Sequence, residues 1–279
     1  MEFHALSDEQ RQSFDANGFL IVPGVIDPES LDRMTNAADQ YVASRYTESG
    51  RHRASLTNVV AESGDLLALM TWPVTLSLIV QLLSFNIRLT KSHLIYKYPD
   101  PPDTEEPTFW HRDIANSTDD IGYIGSRMEI KVAFHFSDCV VPGSGTTVVA
   151  PGSNLLHERL PLVPGTHDPP ITLEPELRAG DALLFENRTY HRQSANRTSK
   201  VRKVFMVGYS YAWLAPNDYV EQSPDFLARI SDPIAGQLLG ARRKSNSQID
   251  GSPLREWAEM HGVKRASEIA RSPAISQHE

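Results

Sequence analysis

One stretch near the middle of the chain decides the fold class: residues 127–138 read RMEIKVAFHFSD. Apolar side chains recur at every second position from Met128 to Phe136. Side chains two residues apart project from the same face of a β-strand. The intervening face carries Arg127, Glu129, Lys131 and His135. The alternation predicts a strand with one face packed in an apolar core and one face more exposed to solvent.

Further runs of the same kind surround this strand and are separated by Pro, Gly, Asp and Asn. They cover residues 86–98, 146–150, 182–185 and 203–211. Strands of this length, with long irregular connections and no internal repeat, are typical of an antiparallel barrel or jelly roll. We therefore expect a mainly β, α+β fold in which the barrel lies behind a helical layer.

The N-terminal part of the chain carries helical patterns. Ser7 followed by Gln10 predicts a capped helix over 7–17, and apolar residues at helical spacing predict another over 28–47. Residues 66–85 are apolar enough to raise the question of a membrane span. Pro73 lies near their middle, and proline cannot donate the helix hydrogen bond. Two short buried helices broken at Pro73 are the favoured prediction.

The chain is predicted to form a single catalytic domain over its 279 residues. We divide it into a helical layer over 1–85, a β-helix core over 86–215 and a C-terminal extension over 216–279. The extension is polar and is expected to add helices. Its compact basic cluster is Arg242, Arg243 and Lys244.

Composition narrows the classes of function. A formal net charge of -8 gives no electrostatic reason to expect binding to nucleic acid or to an anionic membrane. Cys139 is the only cysteine, which excludes an intramolecular disulfide and a thiolate metal cluster. The N-terminus lacks the features of a signal peptide. We expect a cytoplasmic protein that acts on a small molecule, and its oligomeric state is left open, a homodimer included.

Candidate metal ligands lie in the segment Phe109-Trp110-His111-Arg112-Asp113 and far along the chain at His191. In an extended segment His111 and Asp113 project to the same side, whereas Arg112 points away. Two imidazoles and one carboxylate on one side of a metal leave positions open, which suits an iron(II) that must bind a co-substrate and O2. An isolated H-x-D pair is weak evidence.

A second feature strengthens this interpretation. Arg202 follows His191 by eleven residues and opens a predicted strand, where it shares a face with Val204 and Met206. An arginine on an apolar face is costly unless it meets an anion. Its guanidinium can bind a carboxylate through two parallel hydrogen bonds, which a lysine cannot do. Pairing with a protein carboxylate, or exposure, remains the alternative reading of Arg202.

Several separated motifs in one order resemble those of the phytanoyl-CoA dioxygenase family of iron and 2-oxoglutarate oxygenases. The resemblance runs from about His93 to Tyr209. The motifs are Lys97-Tyr98-Pro99-Asp100, Trp110-His111-Arg112-Asp113, Gly145 with Pro151-Gly152-Ser153, and residues 191–198 with Arg202. Their order and spacing are more specific than any one of them.

The resemblance implies a double-stranded β-helix, a cupin-like jelly roll, with Fe(II), 2-oxoglutarate and O2 as cofactors. It implies iron ligands at His111, Asp113 and His191 and anchoring of 2-oxoglutarate at Arg202. It also implies that His93 and Phe134 line the co-substrate pocket. The chain departs from the family pattern at Phe134 in place of tryptophan, at Asn154 in place of histidine, and at Gln193 in place of a small residue.

The implied activity is hydroxylation, or another oxidation, of an unactivated C–H bond of a small molecule, with release of succinate and CO2. Desaturation, cyclisation and rearrangement stay open as outcomes. We expect a free natural-product intermediate of secondary metabolism as substrate, because the chain is acidic and lacks a glycine-rich phosphate loop that would favour an acyl-CoA. The alternatives are a zinc or manganese isomerase or hydrolase on the same barrel, and a non-catalytic binding module. Asp113 argues against a halogenase.

Overall fold

The computed structural model describes residues 1–46, 53–113, 122, 125–241 and 251–263. Helix α1, Asp8–Asn17, begins with the predicted capping box, in which Ser7 and Gln10 satisfy each other's backbone N–H groups. It ends at Gly18, whose φ of 80° is the left-handed conformation that glycine adopts most readily. Helix α2, Pro28–Arg45, is capped by Asp27. Both predicted N-terminal helices are confirmed.

The apolar segment around Pro73 forms short pieces of helix, as predicted. Helix α3, Gly64–Leu67, continues into a 3-10 turn over Ala68–Thr71, and helix α4, Pro73–Leu82, begins at the proline. Almost every residue of α4 is buried. Among the described residues, no single helix has the length and hydropathy of a membrane span. The pair Gly64–Thr71 and Pro73–Leu82, bent by 41°, passes that test when joined.

The strands form two open sheets. Their bounds are β1 Phe19–Val22, β2 Arg53–Leu56, β3 Ile87–Lys97, β4 Glu129–His135, β5 Thr147–Val149, β6 Ala182–Glu186, β7 His191–Gln193 and β8 Arg202–Tyr211. The six-stranded sheet has the order β1-β6-β4-β8-β3-β2, and β5 pairs with β7 in a second sheet. All these pairings are antiparallel. This arrangement, with helices on one side, is the predicted jelly roll.

Three short strands were not predicted. β1 and β2 form the two edges of the larger sheet and come from the N-terminal segment that we expected to be mainly helical. β7 is three residues long and begins at His191. Strands of three or four residues are too short to show an alternating pattern, and their partners rather than their own sequence define them. The N-terminal segment therefore contributes to the sheet as well as to the helical layer.

Both faces of the central strand β4 are buried, so the prediction that one face is more exposed to solvent is wrong. Ile130, Val132 and Phe134 lie in the main hydrophobic core with the helices. The opposite face carries Lys131 and His135, which are 8% and 0% exposed. The polar face is therefore turned inward, towards the interior between the two sheets, and not towards bulk solvent.

The C-terminal extension adds helices to the part of the core that the structure describes. They are α5 Pro224–Ala228, α6 Pro233–Leu238 and α7 Pro253–Met260. Each begins at a proline that follows a Ser or Asp cap, which is the favoured order of residues at a helix start. Phe226, Leu238 and Leu254 pack into the main core. The basic cluster at 242–244 lies outside the described residues.

Candidate metal and co-substrate site

The three predicted metal ligands converge in space. The ligand atoms of His111, Asp113 and His191 all lie within 4.8 Å of one another. A pair of backbone hydrogen bonds joins the two histidines: the His111 N–H donates to the His191 carbonyl at 3.1 Å, and the His191 N–H donates to the His111 carbonyl at 3.0 Å. The two histidines are therefore distant in the sequence but direct neighbours in the fold.

Each imidazole is oriented by a carbonyl oxygen. The His191 Nδ1 lies 3.0 Å from the Thr189 carbonyl, and the His111 Nδ1 lies 3.4 Å from the Phe109 carbonyl. The ring of Phe185, from β6, packs against the His191 ring with centroids 4.7 Å apart. A carbonyl that accepts from one ring nitrogen leaves the other nitrogen free as a ligand.

The carboxylate of the triad contacts a buried lysine. Lys131 Nζ donates to Asp113 Oδ1 at 2.5 Å, while Asp113 Oδ2 lies 3.9 Å from His191 Nε2. Burial by itself would raise the pKa of Asp113, but the Lys131 ammonium, His191 and Lys91 together hold it below its ordinary value. Burial lowers the pKa of His191 to about 4 against the opposing effect of Asp113. At neutral pH the site therefore offers a carboxylate and a neutral imidazole, the forms that bind metals.

This set of donors fits iron(II). Two imidazoles and one carboxylate, gathered on one side of a common point, form the arrangement used by non-haem Fe(II) oxygenases, which leaves the remaining positions to other ligands. No thiolate takes part, since Cys139 lies among apolar neighbours in a separate buried cluster with Ala133 and Val204.

Arg202 lies on the inward face of β8, which also carries Val204 and Met206 as predicted. It is 2% exposed. Within the described residues, none of its three guanidinium nitrogens has a nitrogen or oxygen hydrogen-bond partner, and the polar group beside it is the Cys139 thiol. Burial lowers its pKa to about 10, so that it still carries its charge at neutral pH. An uncompensated buried cation is costly, and a carboxylate ligand would compensate it.

The groups beside Arg202 do not neutralise it. Burial, and then the charge of Arg202, lower the pKa of His135 well below its ordinary value, so the imidazole is neutral. Burial raises the pKa of the Cys139 thiol, although Arg202 opposes this effect. Neither group supplies a negative charge. The described surroundings of Arg202 thus fit a carboxylate-bearing co-substrate such as 2-oxoglutarate.

The two residues predicted to line the co-substrate pocket differ in their placement. His93 pairs with Met206 across the sheet, and its Nε2 lies 2.7 Å from Asp218 Oδ1. Phe134 faces the helical layer, in the core with Ile130 and Val132. It lies on the opposite face of β4 from Lys131, which contacts the triad. We therefore no longer assign Phe134 to the pocket.

The other departures from the family pattern have structural partners. Asn154 donates from Nδ2 to the Asp15 carbonyl at 3.0 Å, and Gln193 donates from Nε2 to the Gly145 carbonyl at 3.3 Å. Arg112 points away from the triad, as predicted, and donates to the Ser153 carbonyl at 2.6 Å. These side chains join neighbouring segments rather than entering the metal site.

Sequence reasoning missed two lysines at the site. Lys131 was placed on the wetter face of its strand, and Lys91 was not singled out, yet both are buried beside Asp113. Burial lowers the pKa of Lys91, and Lys131 lowers it further. A charged residue between apolar ones in a long central strand is the available signal, because in a jelly roll the inner face of such a strand is covered by the second sheet.

With this geometry established, comparison with known proteins decides the family. The model of the phytanoyl-CoA dioxygenase (PhyH) family matches residues 14–204, a span that includes the triad and Arg202. The chain belongs to this family. The description of this family is that of a dioxygenase.

Among curated relatives, the dioxygenase aneA of Aspergillus aculeatus is 30% identical over 127 residues. That match covers 45% of this chain and 40% of the relative, so the chain spans less than half of the relative's length.

Two solved structures have the same fold as this chain. The epimerase SnoN, in complex with Fe3+, alpha ketoglutarate and nogalamycin RO, is 22% identical, with a TM-score of 0.61 over 81% of this chain and 92% of that chain. HygX from Streptomyces hygroscopicus, with nickel and 2-oxoglutarate bound, is 17% identical, with a TM-score of 0.63 over 80% of this chain and 94% of that chain. At these identities the likeness shows the fold.

Proposed function

We propose that this PhyH-family enzyme oxidises an unactivated C–H bond of a free small molecule, with iron(II) held by His111, Asp113 and His191 and 2-oxoglutarate anchored by Arg202. When bound, the iron and 2-oxoglutarate supply the oxidising chemistry, in which O2 is consumed and 2-oxoglutarate becomes succinate and CO2. The protein binds and orients the reactants and excludes water.

The observation that carries the proposal is Arg202. A metal-dependent isomerase or hydrolase could use the same three ligands, but it has no need of a buried guanidinium that no carboxylate among the described residues hydrogen-bonds. A co-substrate carboxylate accounts for the arginine because it can accept two parallel hydrogen bonds from the fork. His135 and Cys139 are buried and neutral, so they add no charge beside Arg202. The low effective dielectric constant of the interior then strengthens a pair between the guanidinium and a carboxylate.

The chain's own residues have separate roles in this proposal. The carbonyls of Thr189 and Phe109 fix the ring orientation of the two histidines. Lys131 holds one oxygen of Asp113. His93, fixed by Asp218, stays a proposed residue of the pocket wall beside Met206.

The proposed substrate is a natural-product intermediate and not a CoA thioester. The net charge of -8 disfavours a ligand as strongly anionic as CoA. Two structures of the same fold hold natural-product ligands, nogalamycin RO in SnoN and hygromycin B in HygX. The single, buried cysteine accords with a reducing compartment, and we place the enzyme in the cytoplasm. Saturable calorimetric binding of free CoA, lost when Arg242, Arg243 and Lys244 are neutralised, would contradict this choice.

The experiment that tests the function measures succinate formation from 2-oxoglutarate by protein loaded with iron(II), screened against a library of natural-product scaffolds. We expect binding of about one iron per chain, as one three-ligand site requires. Turnover should depend on iron, O2 and 2-oxoglutarate together. Equal conversion of a library member with zinc and without 2-oxoglutarate would replace the oxygenase with a hydrolase or isomerase.

A further inference from the structure

The two oxygens of the Asp113 carboxylate have different surroundings. Oδ1 accepts a hydrogen bond from Lys131 Nζ at 2.5 Å, and the two side chains are only 9% and 10% exposed. Oδ2 has no hydrogen-bond partner among the described residues and lies on the side of His191 Nε2. One oxygen is therefore occupied by an ammonium, and the other is free beside the histidines.

A carboxylate can bind a metal through one oxygen or through both. In a site with two histidines and one carboxylate, a second carboxylate oxygen would occupy a position that the co-substrate and O2 need. We propose that Lys131 is a positioning residue that restricts Asp113 to binding iron through Oδ2 and thereby keeps those positions open. This inference rests on the proposed function of the triad.

The fold holds Lys131 in place. The strand register sets it beside Gly208 of β8, where an added Cβ would lie 2.7 Å from Glu129 Oε1 and 2.7 Å from Lys91 Cγ. Glycine at 208 thus leaves room for the buried charged side chains. The ammonium also lies 5.7 Å from the centroid of the Phe185 ring, which packs against His191. These contacts on several sides hold the Lys131 ammonium against Asp113 Oδ1.

Lys91 provides a matched control. It is buried in the same interior, at 6% exposure against 8% for Lys131, and it carries the same kind of side chain. Its ammonium lies 3.7 Å from Glu129 Oε1. Lys91→Met and Lys131→Met therefore remove the same charge from the same region, but only the second removes the contact with Asp113 Oδ1.

The test uses the full chain loaded with Mn(II), which does not consume O2, and requires no turnover. Water-proton relaxation counts the exchangeable waters on the metal, and calorimetry gives the affinities for Mn(II) and for 2-oxoglutarate. We expect about three waters in the wild-type protein and about two in Lys131→Met, because the freed Oδ1 takes one position. 2-Oxoglutarate should bind about tenfold or more weakly to Lys131→Met, the size of effect typical of residues that support metal ligands.

Affinity for Mn(II) should stay equal or increase in Lys131→Met, because a nearby positive charge has been removed and an oxygen ligand gained. Lys91→Met leaves the hydrogen bond from Lys131 to Asp113 Oδ1 in place, so it should keep the wild-type water count, and its loss of 2-oxoglutarate affinity should be smaller than that of Lys131→Met. A merely structural lysine would instead lower thermal stability and both affinities together. Equal losses of 2-oxoglutarate binding in the two variants would show that charge alone matters and would overturn the inference.

The same measurements distinguish failure of the proposed metal site from failure of the proposed role of Lys131. If Asp113→Ala binds Mn(II) like the wild-type protein, the proposed metal site is wrong. If Asp113→Ala loses Mn(II) but Lys131→Met keeps the wild-type water count, only the role of Lys131 is wrong. Should Lys131→Met not fold, the wild-type protein still decides, since a count of about two waters there would mean that Asp113 already binds through both oxygens.

Discussion

The two faces of strand β4 are buried equally, but they are built from opposite chemistry. Ile130, Val132 and Phe134 face the helices and form an ordinary apolar core. Lys131 and His135 face the interior between the sheets, where Asp113 and Arg202 also lie. Buried apolar side chains stabilise the fold, whereas buried charges reduce stability unless they are paired. The difference indicates that the inner face is retained for binding and the outer face for stability.

The largest effect should come from removing a metal ligand on the inner side. We expect His111→Ala, Asp113→Ala and His191→Ala each to lower activity by far more than the roughly 10- to 100-fold typical of residues that only support ligands. The fold should persist, because the ligands belong to the site and not to the core. Succinate release and circular dichroism, measured together, check this. An active Asp113→Ala enzyme would mean that another carboxylate binds the metal.

The outer face should respond in the opposite manner. Phe134→Ala removes a fully buried ring from the core between sheet and helices, and we expect a loss of about 3–5 kcal/mol in the free energy of unfolding. The folded fraction should bind metal and 2-oxoglutarate as the wild-type protein does. Urea unfolding and calorimetry of Mn(II) binding provide the two measurements. A stable variant with weakened 2-oxoglutarate binding would return Phe134 to the pocket.

The third effect concerns the anion site. Arg202→Lys keeps the charge but loses the planar fork, so the apparent KM for 2-oxoglutarate should rise by the equivalent of about 2 kcal/mol or more, and the KM for substrate much less. Steady-state kinetics with each reactant varied in turn separates the two.

Arg202→Met serves as its control. Removing an unpaired buried charge should make the protein more stable than the wild type when 2-oxoglutarate is absent, and the ligand should no longer raise its melting temperature. A melting temperature that still rises with 2-oxoglutarate would place the co-substrate elsewhere.

The sequence could predict most of the fold because long segments with one dominant period determine it. The capping box at Ser7 and the alternation through β4 are local signals, and both led to the right element. β1 and β7 have no such signal, since they exist only through pairing with β6 and β5. Their pairing is long-range information that a local pattern does not contain.

For the site, the spacing of motifs predicted which residues would come together, and the geometry of the triad agrees with it. The alternation in β4 assigned its residues to the correct two faces. It could not show whether the polar face is exposed to solvent or lines a buried polar interior. The register that sets Lys131 beside Gly208 likewise depends on β8, which follows much later in the chain. For this reason Lys131 was not recognised. Phe134 was assigned to the pocket through the family resemblance alone, although the alternation already placed it on the packed apolar face.

The smallest effect should be a pH dependence that arises on the inner face alone. Buried His135 has a pKa well below its ordinary value, and neither ring nitrogen has a hydrogen-bond partner among the described residues. Below a pH of about 6.5 the unfolded chain takes up a proton at this histidine that the folded chain does not, so the free energy of unfolding falls as the pH falls. His135→Asn cannot take up that proton.

Between pH 7.5 and 5.5 the His135→Asn variant should therefore lose about 1 kcal/mol less stability than the wild-type protein. Urea unfolding at the two pH values measures this, with His157→Asn on the exposed loop as the matched control. Equal pH dependence in the wild type and His135→Asn would show that the folded protein protonates His135, and the contrast between the two faces of β4 would then not extend to its inner end.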